Sequence, residues 1–184
     1  KVESNIGIPN SIIDKINNLS YVDEVECFNE TYRFFTYDNN PYQAKVLLLT
    51  NKMNTPLRIK GTLPQKDGEA AIDSHFASEN NIRIGDILEL NENQFVVAGG
   101  LNNKNVKITS LIDTAEYLGK YDDTNGFSYA SYGNVNAILY MPQESFNNNV
   151  FYSNFNFYIK SNYLDNFDTL SKEYDKESLK IKEE

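Results

Sequence analysis

Tryptophan is absent from this chain of 184 residues, and cysteine and histidine occur once each, as Cys27 and His75. A single cysteine excludes an internal disulfide. One His and one Cys are too few for a structural zinc site of the usual kind. A catalytic triad assembles from separate segments, so the neighbours Asp73 and Ser74 do not make one with His75, which reads as a helix-surface residue near a cap. Basic residues are outnumbered: 17 Lys and Arg face 26 Asp and Glu, a formal net charge of −9. Phosphate backbones and anionic lipids both need clustered cations, so nucleic acid and a polybasic membrane grip are argued against. No stretch approaches the roughly 18 apolar residues of a membrane helix. The chain opens on Lys1-Val-Glu-Ser with neither Met nor an apolar leader, and is expected to be a piece of something longer.

Glycine and proline are sparse, at 9 and 5 residues. Gly99-Gly100 lacks the further glycine and helix of a dinucleotide site, and no Gly-Lys-Ser/Thr occurs. Carboxylate pairs such as Asp67 with Glu69, or Asp122 with Asp123, are common in an acidic chain, and none shows the opposed environments of an acid–base pair. Asp122, Asp123 and Asn125 could offer oxygens to calcium, but without EF-hand spacing or its terminal Glu. The expectation is no catalytic residue, no cofactor and no metal, hence no enzyme.

What remains is ordinary globular material rich in rings: 40% hydrophobic, 23% charged, with 13 Tyr and 11 Phe that are expected to supply much of the core. Ile12, Ile13, Ile16 and Leu19 form a helical stripe behind the cap Asn10-Ser11. Val22 to Phe28 reads as extended chain, and alternation there makes Cys27 a buried, inert thiol. Tyr32 to Tyr37 and Lys45 to Thr50 read as strands on either side of an Asp38–Pro41 turn. Ala70 to Ile72 is a short strand, Asp73 or Ser74 caps a helix running through Asn80, and Asn80-Asn81 stops it. Ile84–Leu90 and Phe95–Leu101 are expected to form a hairpin around Asn91-Glu92-Asn93, followed by a strand at Val106–Thr109. Val135–Tyr140 and Phe151–Ile159 read as strands, and Leu164, Phe167, Leu170 and Tyr174 as a terminal helix ahead of a charged tail. Between 113 and 133 the pattern is poor. Its loop aromatics Tyr117, Tyr121, Phe127, Tyr129 and Tyr132 are the expected partner-binding residues, because tyrosine offers large contact area at low entropic cost.

One signature stands out. Gly61-Thr-Leu-Pro64-Gln-Lys-Asp-Gly-Glu69-Ala-Ala-Ile-Asp73 is followed by Asn81-Ile-Arg-Ile-Gly85-Asp86-Ile-Leu-Glu-Leu90 and by Phe95-Val-Val-Ala-Gly-Gly100. The later Tyr132-Gly133-Asn-Val-Asn-Ala-Ile-Leu-Tyr140-Met-Pro142-Gln-Glu-Ser-Phe146 completes the pattern. It resembles the extracytoplasmic (MacB-like periplasmic core) domains of FtsX-like and MacB-like ABC transporter permeases, of the Gram-positive type more than the tripartite efflux form. Thr62 departs from the pattern where an arginine is usual, as does Ala98-Gly99-Gly100 in place of a plain Val-Gly.

The resemblance implies an α+β fold: a porter-like βα core subdomain from both chain ends, residues 1–60 and 133–184, and an inserted β-rich, Sabre-like lobe at 61–132. It implies structural roles for Gly61, Pro64, Gly85 and Asp86. It further implies an extracellular domain of a membrane-embedded, dimeric permease that pairs with a cytoplasmic ATPase subunit and couples its motion to an outside protein or peptide, with the isolated domain monomeric. The alternative is a free-standing cell-surface glycan- or peptide-binding module. A hydrolase with an unrecognised site is a weaker third reading.

Overall fold

The computed structural model describes residues 2–3, 10–92, 100–115, 127–128, 133–146, 156–161 and 163–183. Strand β1 (Val2–Glu3) is followed by helix α1 (Asn10–Asn17), then β2 (Glu24–Phe28), β3 (Glu30–Tyr37) and β4 (Asn40–Leu48). β5 (Leu57–Gly61), β6 (Glu69–Asp73), α2 (Ser74–Glu79), β7 (Ile87–Glu89), β8 (Asn91–Glu92) and β9 (Asn105–Asp113) come next. The chain ends with β10 (Phe127–Ser128), β11 (Gly133–Asn134), β12 (Ala137–Met141), β13 (Asn156–Lys160) and α3 (Lys172–Glu183). The fold is α+β, with sheet predominating.

Local chemistry accounts for most of these elements. Asp38 and Asn39, at φ 48° and 64°, make the two-residue turn that pairs Tyr37 with Asn40. Both residue types tolerate the left-handed region, and paired left-handed residues match the twist of a hairpin. α2 starts at Asp73, whose side chain accepts from the Phe76 N–H, and stops at Asn81, φ 56°. Ile82 N–H then reaches back to the Ala77 carbonyl and Asn81 N–H to that of Ser78, the reciprocal pair of a Schellman ending.

Eight strands share one sheet, in the order β5-β9-β6-β12-β4-β3-β8, with β7 also on β9. Parallel pairings of β4 with β12 and of β6 with β9 alternate with antiparallel ones. β7 lies along β9, whereas β8, one residue further on, lies along the far strand β3. One short stretch, Ile87–Glu92, therefore ties β9 to β3 and closes the strands between them on themselves, leaving β5 as an edge strand. The interior holds residues of β3, β4, β6, β7, β9 and β12: Phe35, Ala44, Val46, Ile72, Leu88, Ile108, Leu139 and Met141, with Phe76 of α2 packed among them. The other faces of the central strands are also covered, by a second cluster of Leu47, Ala71, Ile112, Ile138 and Tyr140. Strands apolar on both faces belong at the centre of a sheet. Rings do contribute to the core, with Phe35, Tyr42 and Phe76 mutually in edge or tilted contact.

A separate three-stranded sheet, β1-β13-β2, is built from residues near both chain ends. The eight-stranded sheet also includes β3, β4 and β12, which lie outside the residues 61–132 expected as the inserted lobe. Some expectations about single elements are corrected. Asn91 and Glu92, read as a loop, are strand β8, and the partner of β7 is β9; Phe95–Gly99 lies outside the described residues. The terminal helix starts at Lys172, in the stretch read as a charged tail, and Leu164–Asn166 forms a 3₁₀ turn. Asp168 Oδ1 accepts from Leu170 N–H, and Ser171 Oγ caps the helix by accepting from Tyr174 N–H. The apolar spacing that suggested an earlier start counts Leu170, which is 95% exposed. Cys27 is half-buried instead of buried.

Candidate interaction surface

The signature glycines and acids sit where β5, β7 and β9 meet. Gly61, at φ 83°, ends β5 in a conformation that L side chains rarely adopt. The Thr62 N–H after it bonds the Thr109 carbonyl of β9 at 3.0 Å. One step along the same edge of β9, Gly85 N–H bonds the Ile108 carbonyl and Ile108 N–H bonds the Asp86 carbonyl, both at 2.8 Å. The Asp86 carboxylate accepts from Arg83 N–H (2.8 Å) and from the Tyr37 hydroxyl of β3 (2.9 Å), fastening the turn to the opposite end of the sheet. Burial first, and then this bond to a carboxylate, raise the Tyr37 pKa above the usual phenol range. Gly85 and Asp86 form the bend that leads into the closing strands, and Gly61 ends the edge strand β5 beside it.

Asp73 has a similar part at the other face. Its Oδ1 caps α2 through Phe76 N–H at 2.8 Å, and its Oδ2 accepts from Ile138 N–H of β12 at 2.9 Å. Neither bond offers catalysis. His75 is exposed and meets Glu79 across one helical turn at 3.3 Å, the surface position expected of it. Burial, with the neighbouring Glu26 charge adding to it, raises the Cys27 thiol pKa, which lowers the reactive thiolate fraction at neutral pH. Asp67 and Glu69 bond backbone N–H groups of their own turn. Among the described residues no three His, Cys, Asp or Glu side chains group as a metal site would require.

A junction links the two sheets. The Glu26 carboxylate on β2 accepts from Asn51 N–H (2.8 Å), Lys52 N–H and Met53 N–H (2.6 Å), in the loop after β4. Lys52 also ion-pairs with Glu24. Replacing Glu26 with Gln should cost about 1 kcal/mol, because the loop's N–H groups face solvent and charge-assisted bonds are replaced by neutral ones. Amide exchange at residues 51–53 should quicken by the same factor; unchanged exchange there would show that the clasp does not hold the loop.

Of the expected partner-binding aromatics, Tyr117, Tyr121, Tyr129 and Tyr132 lie outside the described residues, as do Asp122, Asp123 and Asn125. Phe127 begins β10 and pairs with Asn134 of β11, so the backbone there makes a two-stranded ribbon. The exposed apolar surface that the structure does describe is elsewhere. Leu57 and Ile59 of β5 are 66% and 52% exposed, and Ile87 of β7 is 66% exposed. Ile84 lies over Gly61, joining the end of β5 to the Gly85-Asp86 turn. Arg58, Lys60, Arg83 and Lys107 are exposed around these side chains. The alternation Leu57-Arg-Ile-Lys60 is the trace of this surface in the sequence, and both faces of the strand are exposed.

No family model and no curated protein matches the chain. Two solved structures are similar to it. One is the extracellular domain of the noncanonic ABC-type transporter YknZ from Gram-positive bacteria, at TM-score 0.49 and 8% identity over 86% of this chain and 75% of that one. The other is the periplasmic region of MacB from Actinobacillus actinomycetemcomitans, at TM-score 0.46 and 10% identity over 97% of this chain and 72% of that one. Both are of the kind that the sequence motifs resemble. Identities this low leave the functional reading to the residues and the topology.

Proposed function

We propose that this chain is the extracellular domain of an FtsX-like or MacB-like ABC transporter permease. It has no catalytic activity of its own and couples ATP-driven motion of membrane helices to a protein or peptide outside the cell. The observation that carries this reading is the pairing of β1 with β13 and of β13 with β2. Strands near both ends of the chain make one small sheet, and the closed eight-stranded lobe is spliced into it between Asn29 and the end of β12. We accordingly place the core subdomain at residues 1–28 and 156–184 and the lobe at 30–146. A lobe inserted this way moves as a unit when the small sheet tilts, with the Glu26 clasp resisting rotation at the joint. The signature residues Gly85 and Asp86 support the same reading, because they form the bend into the closing strands, and Gly61 ends the strand beside them.

The test is made on the complete polypeptide. Apolar spans of about 20 residues are expected just outside residues 1 and 184, and the detergent-extracted protein should co-purify with an ATP-hydrolysing subunit. A signal peptide with no flanking span, and no such subunit, would overturn the proposal in favour of a free-standing surface module.

A further inference from the structure

We propose that the outward edge of β5 captures an acidic, extended segment of a partner protein by strand addition. The inference rests on this edge alone and holds whether or not the parent protein is a permease. β5 is the terminal strand of its sheet, hydrogen-bonded on one side to β9. On its other side, residues 57–60 make no backbone hydrogen bond among the described residues. Such an edge is a row of unsatisfied donors and acceptors ready for another strand.

The side chains define what that strand must be. Leu57 and Ile59 alternate with Arg58 and Lys60, all exposed, and Ile87 and Lys107 continue the same mixture along β9. Arg58 Nη1 donates to the Gly61 carbonyl at 2.7 Å, which keeps the guanidinium alongside the strand. None of Arg58, Lys60 or Lys107 makes an ion pair among the described residues, although the chain as a whole carries a net charge of −9. The strip holds one acid, Asp113, which faces Leu57 at its far end and accepts from Ser74 Oγ. With three cations against it, the strip is complementary to alternating acidic and apolar residues. Cross-strand pairs of opposite charge stabilise, and like charges opposed destabilise.

A second copy of the chain is a poor occupant, since antiparallel β5–β5 pairing centred on Ile59, the register that matches the most residues of the strand, sets Arg58 against Lys60. An anionic bilayer would attract the cations, but it cannot satisfy backbone donors and acceptors. The bulge at Ile59 keeps the added segment short, so selectivity rests on charge and a few apolar contacts.

The probes are two decapeptides, alternating Glu–Val and alternating Lys–Val, titrated into the ¹⁵N-labelled 184-residue chain and followed by amide shifts. The acidic peptide should shift residues 57–60 and 84–87 and bind at least about tenfold more tightly than the basic one. The double variant R58E/K60E should reverse that order, with its dispersed spectrum confirming the fold. R58Q/K60Q should weaken the acidic peptide without favouring the basic one. Equal binding of both peptides, no shift at millimolar acidic peptide, or shifts confined to other residues would overturn the proposal. So would saturating binding to anionic phospholipid vesicles by a chain that ignores the acidic peptide.

Discussion

Asp73→Ala is expected to destabilise the chain by about 3 kcal/mol, which for a domain of this size lowers Tm by roughly 6–12 °C. The carboxylate accepts from two N–H groups that have no easy substitute: Phe76 N–H in the first turn of α2 and Ile138 N–H in the central strand β12. Asp73 itself is 7% exposed. Removing it leaves buried donors unsatisfied at about 1–3 kcal/mol each, and the helix loses its cap at about 1 kcal/mol. The terms overlap, so their sum exceeds the expected loss. Asp73→Asn separates the two bonds, because its carbonyl can serve one donor while its amide opposes the other; an intermediate loss is expected. Denaturant titrations with unchanged m-values would measure both. A loss under about 0.5 kcal/mol for alanine would mean water replaces the carboxylate, and the strand–helix tie would not matter.

The legibility of the fold in the sequence divides along the range of the interactions involved. Asp73, the Asp38-Asn39 turn and the Asn81 stop were readable because a side chain and its own backbone, a few residues apart, decide the geometry. Lys45–Thr50 was readable as a buried strand from its run of apolar residues, and Val135–Tyr140 as a strand. Their parallel pairing with each other was not, since nothing within either strand specifies a neighbour some ninety residues away. Closure of the sheet was equally hidden: β7 and β8 are one extended stretch, and its switch from β9 to β3 at Leu90 leaves no composition signal. The expected domain boundary followed from the signature at Gly61, the last residue of β5. The candidate surface was the least legible part. Tyrosine-rich loop chemistry points to 117–132, whereas Leu57 and Ile59 lie on a strand whose alternation reads as unremarkable edge.

Gly61→Ala is expected to cost about 4 kcal/mol, well above the effect of Gly85→Ala at about 1–2 kcal/mol. Both glycines have positive φ, 83° and 106°, so both substitutions incur backbone strain. Only at Gly61 is there also no room. A Cβ there would stand 2.2 Å from the Thr109 carbonyl oxygen and 3.0 Å from Ser110 Cα, both backbone atoms of β9. At Gly85 nothing lies within 4 Å. Side chains can rotate away from a clash, but a strand paired on its other edge to β6 cannot, so β5 must give. The loss should then be local: amide exchange rises at 57–62 while the closed sheet, fixed by β7 on β9 and β8 on β3, stays protected. The difference between the two variants measures the close approach itself, free of the shared conformational strain. Equal losses would show that β5 moves aside at no cost, and the edge would then be too loosely held to present a strand for pairing. A larger loss at Gly61 with exchange confined to 57–62 would fix β5 as a rigid but separately stable edge. Acidic-peptide capture should then fall in Gly61→Ala and persist in Gly85→Ala.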